Sequence, residues 1–169
     1  INRSVRHRGP WSFLDRTAAY WKLWLASHRP DFADLPGDIV RLHQLSLLVI
    51  RTQVDNDGAI IAANDSDIAS AVRDTYSYMW PRDGALVAHA LDRSGYLWSP
   101  RVFYRFCRDV LSKEGYLLHK YNPDGTLASS WHPWVREGQK DLPIQEDETA
   151  LVLWALWHHF EEWKDVEYI

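Results

Sequence analysis

Apolar positions along the chain gather into five stretches with helical spacing. In the first, Leu14, Ala18, Trp21 and Leu25 recur at that spacing ahead of Pro30. In the second, Leu35, Ile39, Leu42 and Val49 give one apolar face, and Asp57-Gly58 marks the turn that follows. The third opens at Asp83, placed to cap it, and closes at Gly95. The fourth follows Ser99-Pro100 and sets Val102, Phe106 and Val110 opposite Arg101, Arg105 and Arg108. The fifth begins near Asp147 and continues past Ala150 to at least Phe160. The pattern predicts helices over 12–27, 36–53, 83–94, 100–112 and 147–163.

These stretches are of two kinds. The fourth keeps a polar face for water. The third (GALVAHAL) and fifth (ALVLWALW) are apolar nearly all round, which predicts burial on every side. Buried helices alternating with half-exposed ones rank a double-layered helical ring above a plain bundle, with the third and fifth on the inner layer. Between the helices, Ile60-Ile61-Ala62-Ala63 fits either a strand or a buried loop. The long connection 115–143 carries the turn signal Asn122-Pro123-Asp124-Gly125 and has room for a hairpin. A connection of that length in a compact domain is usually functional.

Composition adds a bias in ring chemistry. Ten Trp, eight Tyr and five Phe make the chain 14% aromatic, which suits a large helical core or sugar binding. Sugar rings present C–H faces rimmed by hydroxyls, and aromatic rings with polar handles match both. A formal charge of −4 and a pI near 6.0 disfavour a nucleic-acid partner, because phosphate binding needs a concentrated basic field. The one basic run, Arg3, Arg6, His7 and Arg8, reads as a solvated face. The lone Cys107 excludes an internal disulfide framework and leaves the compartment open. No stretch approaches a membrane span, so no membrane partner is expected. The start at Ile1, without an initiator Met, reads as an internal cut.

Three constellations are candidates for chemistry. Tyr76-Ser77-Tyr78-Met79-Trp80-Pro81-Arg82-Asp83-Gly84 sets an aromatic shelf before an adjacent Arg–Asp pair at a helix start. Asp accepts from sugar hydroxyls while Arg donates to the same hydroxyls. The competing reading makes Asp83 a helix cap and the rings core. Ser129-Ser130-Trp131-His132-Pro133-Trp134 offers a tryptophan platform, or equally a buried loop anchor. Gln145-Glu146-Asp147-Glu148-Thr149 resembles acid/base machinery, yet acidic residues there also complement the positive end of the fifth helix. His119, His132, His158 and His159 share no ligand spacing, so neither a metal nor another cofactor is expected. No Gly-x-Ser-x-Gly motif is present.

The run YSYMWPRDGALV from Tyr76 resembles the signature of glycoside hydrolase family fifteen, the glucoamylases and glucodextranases, in its bacterial form. Further similar runs follow the family's order: SLLVIRTQVDNDGAIIAAND from Ser46, GYLLHKYNPDGTLASSWHPW from Gly115 and LPIQEDETALVLWAL from Leu142. The resemblance covers the chain from about Leu35 to the end. It implies an all-α fold, the first few helices of an (α/α)6 barrel or six-hairpin toroid. Residues 35–169 would be the N-terminal part of that barrel, and 1–34 a linker helix leading into it.

The resemblance implies inverting exo-hydrolysis of α-glucosidic bonds at the non-reducing ends of α-glucans or maltooligosaccharides, releasing β-glucose. Arg82 and Asp83 would clamp hydroxyls of the terminal glucose, Tyr76 and Trp80 would line that subsite, and Trp131 would stack nearby. Inversion uses two carboxyl groups roughly 6.5–9.5 Å apart, with room for water between them. Neither has a counterpart here, so both are expected beyond Ile169, and the rest of the catalytic domain becomes a partner. Alone, the chain is expected to be inactive and poorly folded. The alternatives are a trehalase of the same family, a sugar-binding helical toroid without catalysis, and a helical scaffold whose aromatics are only core.

Overall fold

The computed structural model describes residues 9–28, 30–64, 76–128, 135–164 and 166. Among these residues the fold is all-α apart from one short hairpin. Among the described residues five helices follow in order: α1 (Pro10–Ala26), α2 (Gly37–Gln53), α3 (Pro81–Arg93), α4 (Trp98–Val110) and α5 (Glu146–Trp163). Each lies within two residues of its predicted bounds at both ends. The hairpin pairs β1 (Val135–Arg136) antiparallel with β2 (Gln139–Lys140), inside the long connection where turn signals left room for one. Its turn residues, Glu137 and Gly138, both take positive φ (52° and 82°), the mirror-image turn that matches strand twist.

Two compact units divide the chain, 1–49 and 50–169. In the first, α1 has Pro10 at its start, where a missing amide costs nothing, and ends as the Ser27 hydroxyl donates to the Trp24 carbonyl at 2.6 Å. The stripe Leu35, Ile39, Leu42 and Val49 expected to face the core is exposed throughout. The opposite stripe turns inward: Leu47 is buried, Val40 and His43 are half-buried, and the His43 ring lies 5.2 Å from Phe32. Both faces of α2 carry apolar residues, so spacing alone cannot choose between them. Neighbours choose.

In the second unit, α3 packs chiefly against α5, and α4 lies against both. The core is built from Ala85, Ala88 and Leu91 of α3, Val102, Phe103 and Phe106 of α4, and Val152 and Ala155 of α5. Small residues on α3 let the helices approach closely. Gly84 is the tightest case: a Cβ there would lie 2.3 Å from the fully buried Phe103 ring. Alanine in a helix normally gains about 1 kcal/mol over glycine. Overpacking a rigid core costs about 1–3 kcal/mol, and a ring walled in on every side cannot step back. Gly84→Ala is therefore expected to lower the urea midpoint. A raised midpoint would show that Phe103 has room to move.

As expected, α4 turns Arg105 and Arg108 to water and buries Val102 and Phe106, while Arg101 and Val110 of the same pattern are half-buried. The helices expected to be buried on every side are not. Leu86 on α3 and Leu153, Trp154 and Trp157 on α5 are exposed, Trp157 to 56%. Their inward faces are filled by the packing just described, and the outward ones stay open to water among the described residues, with His89 of α3 4.7 Å from the Trp154 ring.

Candidate functional site

Two segments meet ahead of α3. Backbone bonds from Ala62 to the Tyr78 carbonyl (2.9 Å) and from Ala63 to the Tyr76 carbonyl (3.0 Å) lay the apolar run beside the aromatic shelf. The run is thus a loop with a single bridge, Val54 to Ile60; Ile60 is 1% exposed, whereas Ala62 is open to water. On the other side, Met79 and Tyr121 exchange backbone hydrogen bonds, both 2.9 Å. The turn at Asn122–Gly125 closes behind Tyr121 as Thr126 donates its backbone N–H and hydroxyl to Asp124. Segment 117–121 is tied to the start of α5, because Leu117 donates to the Thr149 hydroxyl at 2.9 Å.

The shelf is asymmetric. Trp80 is buried at 5% exposure, whereas Tyr76 is 55% exposed, with the two ring centroids 5.7 Å apart. Beneath it sits Lys120, fully buried, its ammonium 4.4 Å from the Tyr78 centroid and 5.3 Å from that of Trp80. A cation over aromatic faces in a desolvated position is worth on the order of 2 kcal/mol. Sequence reading missed this residue. The bridge that brings it there joins positions 79 and 121, and no local spacing announces such a meeting.

Asp83 does not cap α3. The helix begins at Pro81 with Trp80 in the capping position, which makes Asp83 the third helical residue. Proline presets the first turn, so the helix starts two residues before the acidic residue that looked like its cap. Asp83 keeps its side chain half-exposed and pairs with Arg82 at 3.3 Å.

Arg82 is a hub. Its Nη1 donates to Gln145 Oε1 at 2.8 Å and to Asp147 Oδ2 at 3.3 Å, and it lies 3.4 Å from Glu148 Oε1. The Arg82 backbone N–H donates to Glu148 Oε2. Burial works to lower the Arg82 pKa, but Glu148, Asp147 and Asp83 outweigh it, and the value rises. The guanidinium is a fixed cation with two water-facing carboxylates beside it.

The acidic run that opens α5 therefore divides. Glu146 and Asp147 are exposed at the positive end of the helix, as the capping reading expected. Glu148 is 0% exposed, and burial pushes its carboxyl from the usual 4.5 to about 7, against the hydrogen bond and charge of Arg82. A folded-state value above the unfolded one means that the fold favours the protonated form. The resulting stability is complete below about pH 4.5 and is lost as pH rises through about 7. A shift of this size corresponds to a swing on the order of 3 kcal/mol. The urea midpoint is expected to fall between about pH 5 and pH 8, and to fall much less in Glu148→Gln. A wild-type midpoint that rises over this range would contradict the assignment.

A second buried polar cluster ties the three helices of this unit together. Asp92 Oδ1 accepts from His159 Nδ1 at 2.7 Å and from Trp163 Nε1 at 2.9 Å, and Tyr104 reaches Oδ2 at 3.5 Å. It is a structural brace.

Tyr76, Trp80, Arg82 and Asp83 thus lie within one short segment, with Arg82 and Asp83 paired and the Tyr76 and Trp80 rings adjacent. Trp131 falls outside the described residues, as does the whole 129–134 stretch. Among the described residues no three His, Cys, Asp or Glu side chains gather as a cation site. A hollow of about 440 Å³ lies in the first unit among Leu25, Phe32, Val40 and Leu47, and it holds none of these residues.

The chain is 25% identical over 131 residues to an uncharacterized glycosyl hydrolase of Methanocaldococcus jannaschii, a match covering 78% of this chain and 18% of that protein. The chain thus spans less than a fifth of the relative it matches. No family model matches, and neither does any solved structure.

Proposed function

We propose that the chain is part of an inverting, glucoamylase-like glycosidase of family fifteen, contributing the subsite that holds the terminal glucose of an α-glucan. The observation that carries this reading is the Arg82–Asp83 pair, 3.3 Å apart and part-exposed, following directly on the Tyr76–Trp80 shelf in sequence. A guanidinium offers donors only and a carboxylate acceptors only, so together they match adjacent hydroxyls in both roles. The similarity to a glycosyl hydrolase supports the reaction class. Trp131 is assigned to stacking, residues 1–34 to a linker helix and 35–169 to the opening of the (α/α)6 barrel.

In this reading the proton donor and the base for water are supplied from outside these 169 residues. Recognition that holds ground and transition states equally does not raise turnover. The chain alone is therefore expected to release no glucose from maltooligosaccharides. A polypeptide holding the whole catalytic domain is expected to release β-glucose first, read from the nascent anomer by NMR. α-Glucose first would sink the inverting assignment. Glucose released by the 169-residue chain would hand acid/base work to Glu146, Asp147 or Glu148.

A further inference from the structure

A hydroxyl clamp works only if its members hold still. Arg82 is about one-third exposed, and its side-chain partners Asp83 and Asp147 are about half-exposed. Ion pairs of that kind are loose, with several near-equal pairings open to them. Glu148 is different. Its carboxylate is buried, one oxygen accepts the Arg82 backbone N–H, and the other lies 3.4 Å from the Arg82 guanidinium. A single side chain thus grips both ends of one residue across 66 positions of sequence. The amide it accepts is the second of α3, one of the first-turn donors that a helix cannot satisfy internally.

Resting on the sugar-binding reading, we propose that Glu148 is the positioning residue of the clamp: ionised, it fixes the Arg82 backbone and guanidinium so that Arg82 and Asp83 face one sugar ring. Protonated, it keeps a weaker bond to the amide and loses the ion pair, because hydrogen bonds to a charged acceptor are about twice as strong as neutral ones. The guanidinium is then free to follow Asp147 and solvent.

The charged and titratable groups that meet Glu148 come from every side. They are Arg82 and Asp83 on α3, Asp147 on its own helix, Cys107 on α4 and Tyr121 in the loop. Burial, helped by the Glu148 charge, pushes the Cys107 thiol and the Tyr121 hydroxyl up, so both keep their protons through the neutral range. Burial places the Glu148 change near 7. The form that the fold prefers and the form that the clamp needs are therefore opposite, a conflict tolerated at sites where function sets the charge.

The test follows the Arg82 amide and Nε–H signals by NMR in an arginine-labelled polypeptide carrying the whole catalytic domain, from about pH 5.5 to about pH 8.5, with glucose as probe. Both Arg82 signals are expected to move with a midpoint near 7, and to stay flat in Glu148→Gln. Glucose is expected to bind about tenfold more weakly at the acid end, with no such pH dependence in Glu148→Gln. Flat Arg82 signals in the wild type, or the same titration in Glu148→Gln, overturn the proposal. Arg82 signals that titrate while glucose binds at no pH support the positioning and overturn the sugar reading. If Glu148→Gln does not fold, Glu148→Asp keeps the charge one methylene short. A displaced Arg82 midpoint then supports the coupling, and an unmoved one overturns it.

Discussion

Replacing Asp92 by alanine is expected to cost about 3–5 kcal/mol, the usual penalty for leaving one member of a buried, hydrogen-bonded ionisable pair without the other. Asp92 sits in the last turn of α3, where carbonyl ends make a carboxylate unwelcome. It stays because His159 and Trp163 of α5 both donate to it, and Tyr104 of α4 approaches its second oxygen. With Asp92 and His159 both almost fully buried, water cannot replace the lost acceptor. The loss is to be read from urea unfolding. Asp92→Asn is expected to lose less, since the amide keeps the volume and one acceptor. A loss below about 1 kcal/mol for the alanine variant would show that the cluster is not a brace.

Asp83→Asn is expected to leave the fold intact and cut turnover at least about ten- to a hundredfold in a polypeptide carrying the whole catalytic domain. Asp83 is half-exposed on the surface of α3, so the fold has little stake in its charge. An amide presents one acceptor and one donor where the carboxylate presents two acceptors, and a sugar hydroxyl donating to it finds the wrong partner. Charged hydrogen bonds are worth about 1.5–3 kcal/mol each, which sets the lower bound on the rate loss. The comparison requires turnover on maltose alongside a melting curve. Unchanged kinetics would remove Asp83 from the subsite. Equal losses of stability and turnover would make it a structural residue.

The sequence by itself determined where the helices run and much of what they are. Gly95 at φ 86° follows the end of α3, an apolar stripe on α4 faces the core, and Pro10 and Pro81 open α1 and α3 two residues ahead of the starts that spacing gave. These signals are local: a proline ring, a missing Cβ and a 3.6-residue period act within a turn or two of chain. The segment holding Tyr76, Trp80, Arg82 and Asp83 was legible for the same reason, since all its members lie within eight residues of one another.

The tertiary structure decided everything that depended on a distant neighbour. Spacing allowed two faces of α2, and contact with Phe32 selected the one carrying His43 and Leu47. Three adjacent carboxylates at the start of α5 read alike as dipole partners. Only the arrival of the Arg82 amide and guanidinium, 66 residues away in sequence, separated Glu148 from Glu146 and Asp147. Lys120 under the shelf and Asp92 beside His159 are of the same kind. A buried charge is settled by the groups that surround it in space, because in a low dielectric the nearest partner outweighs any intrinsic preference. No window of sequence contains both partners.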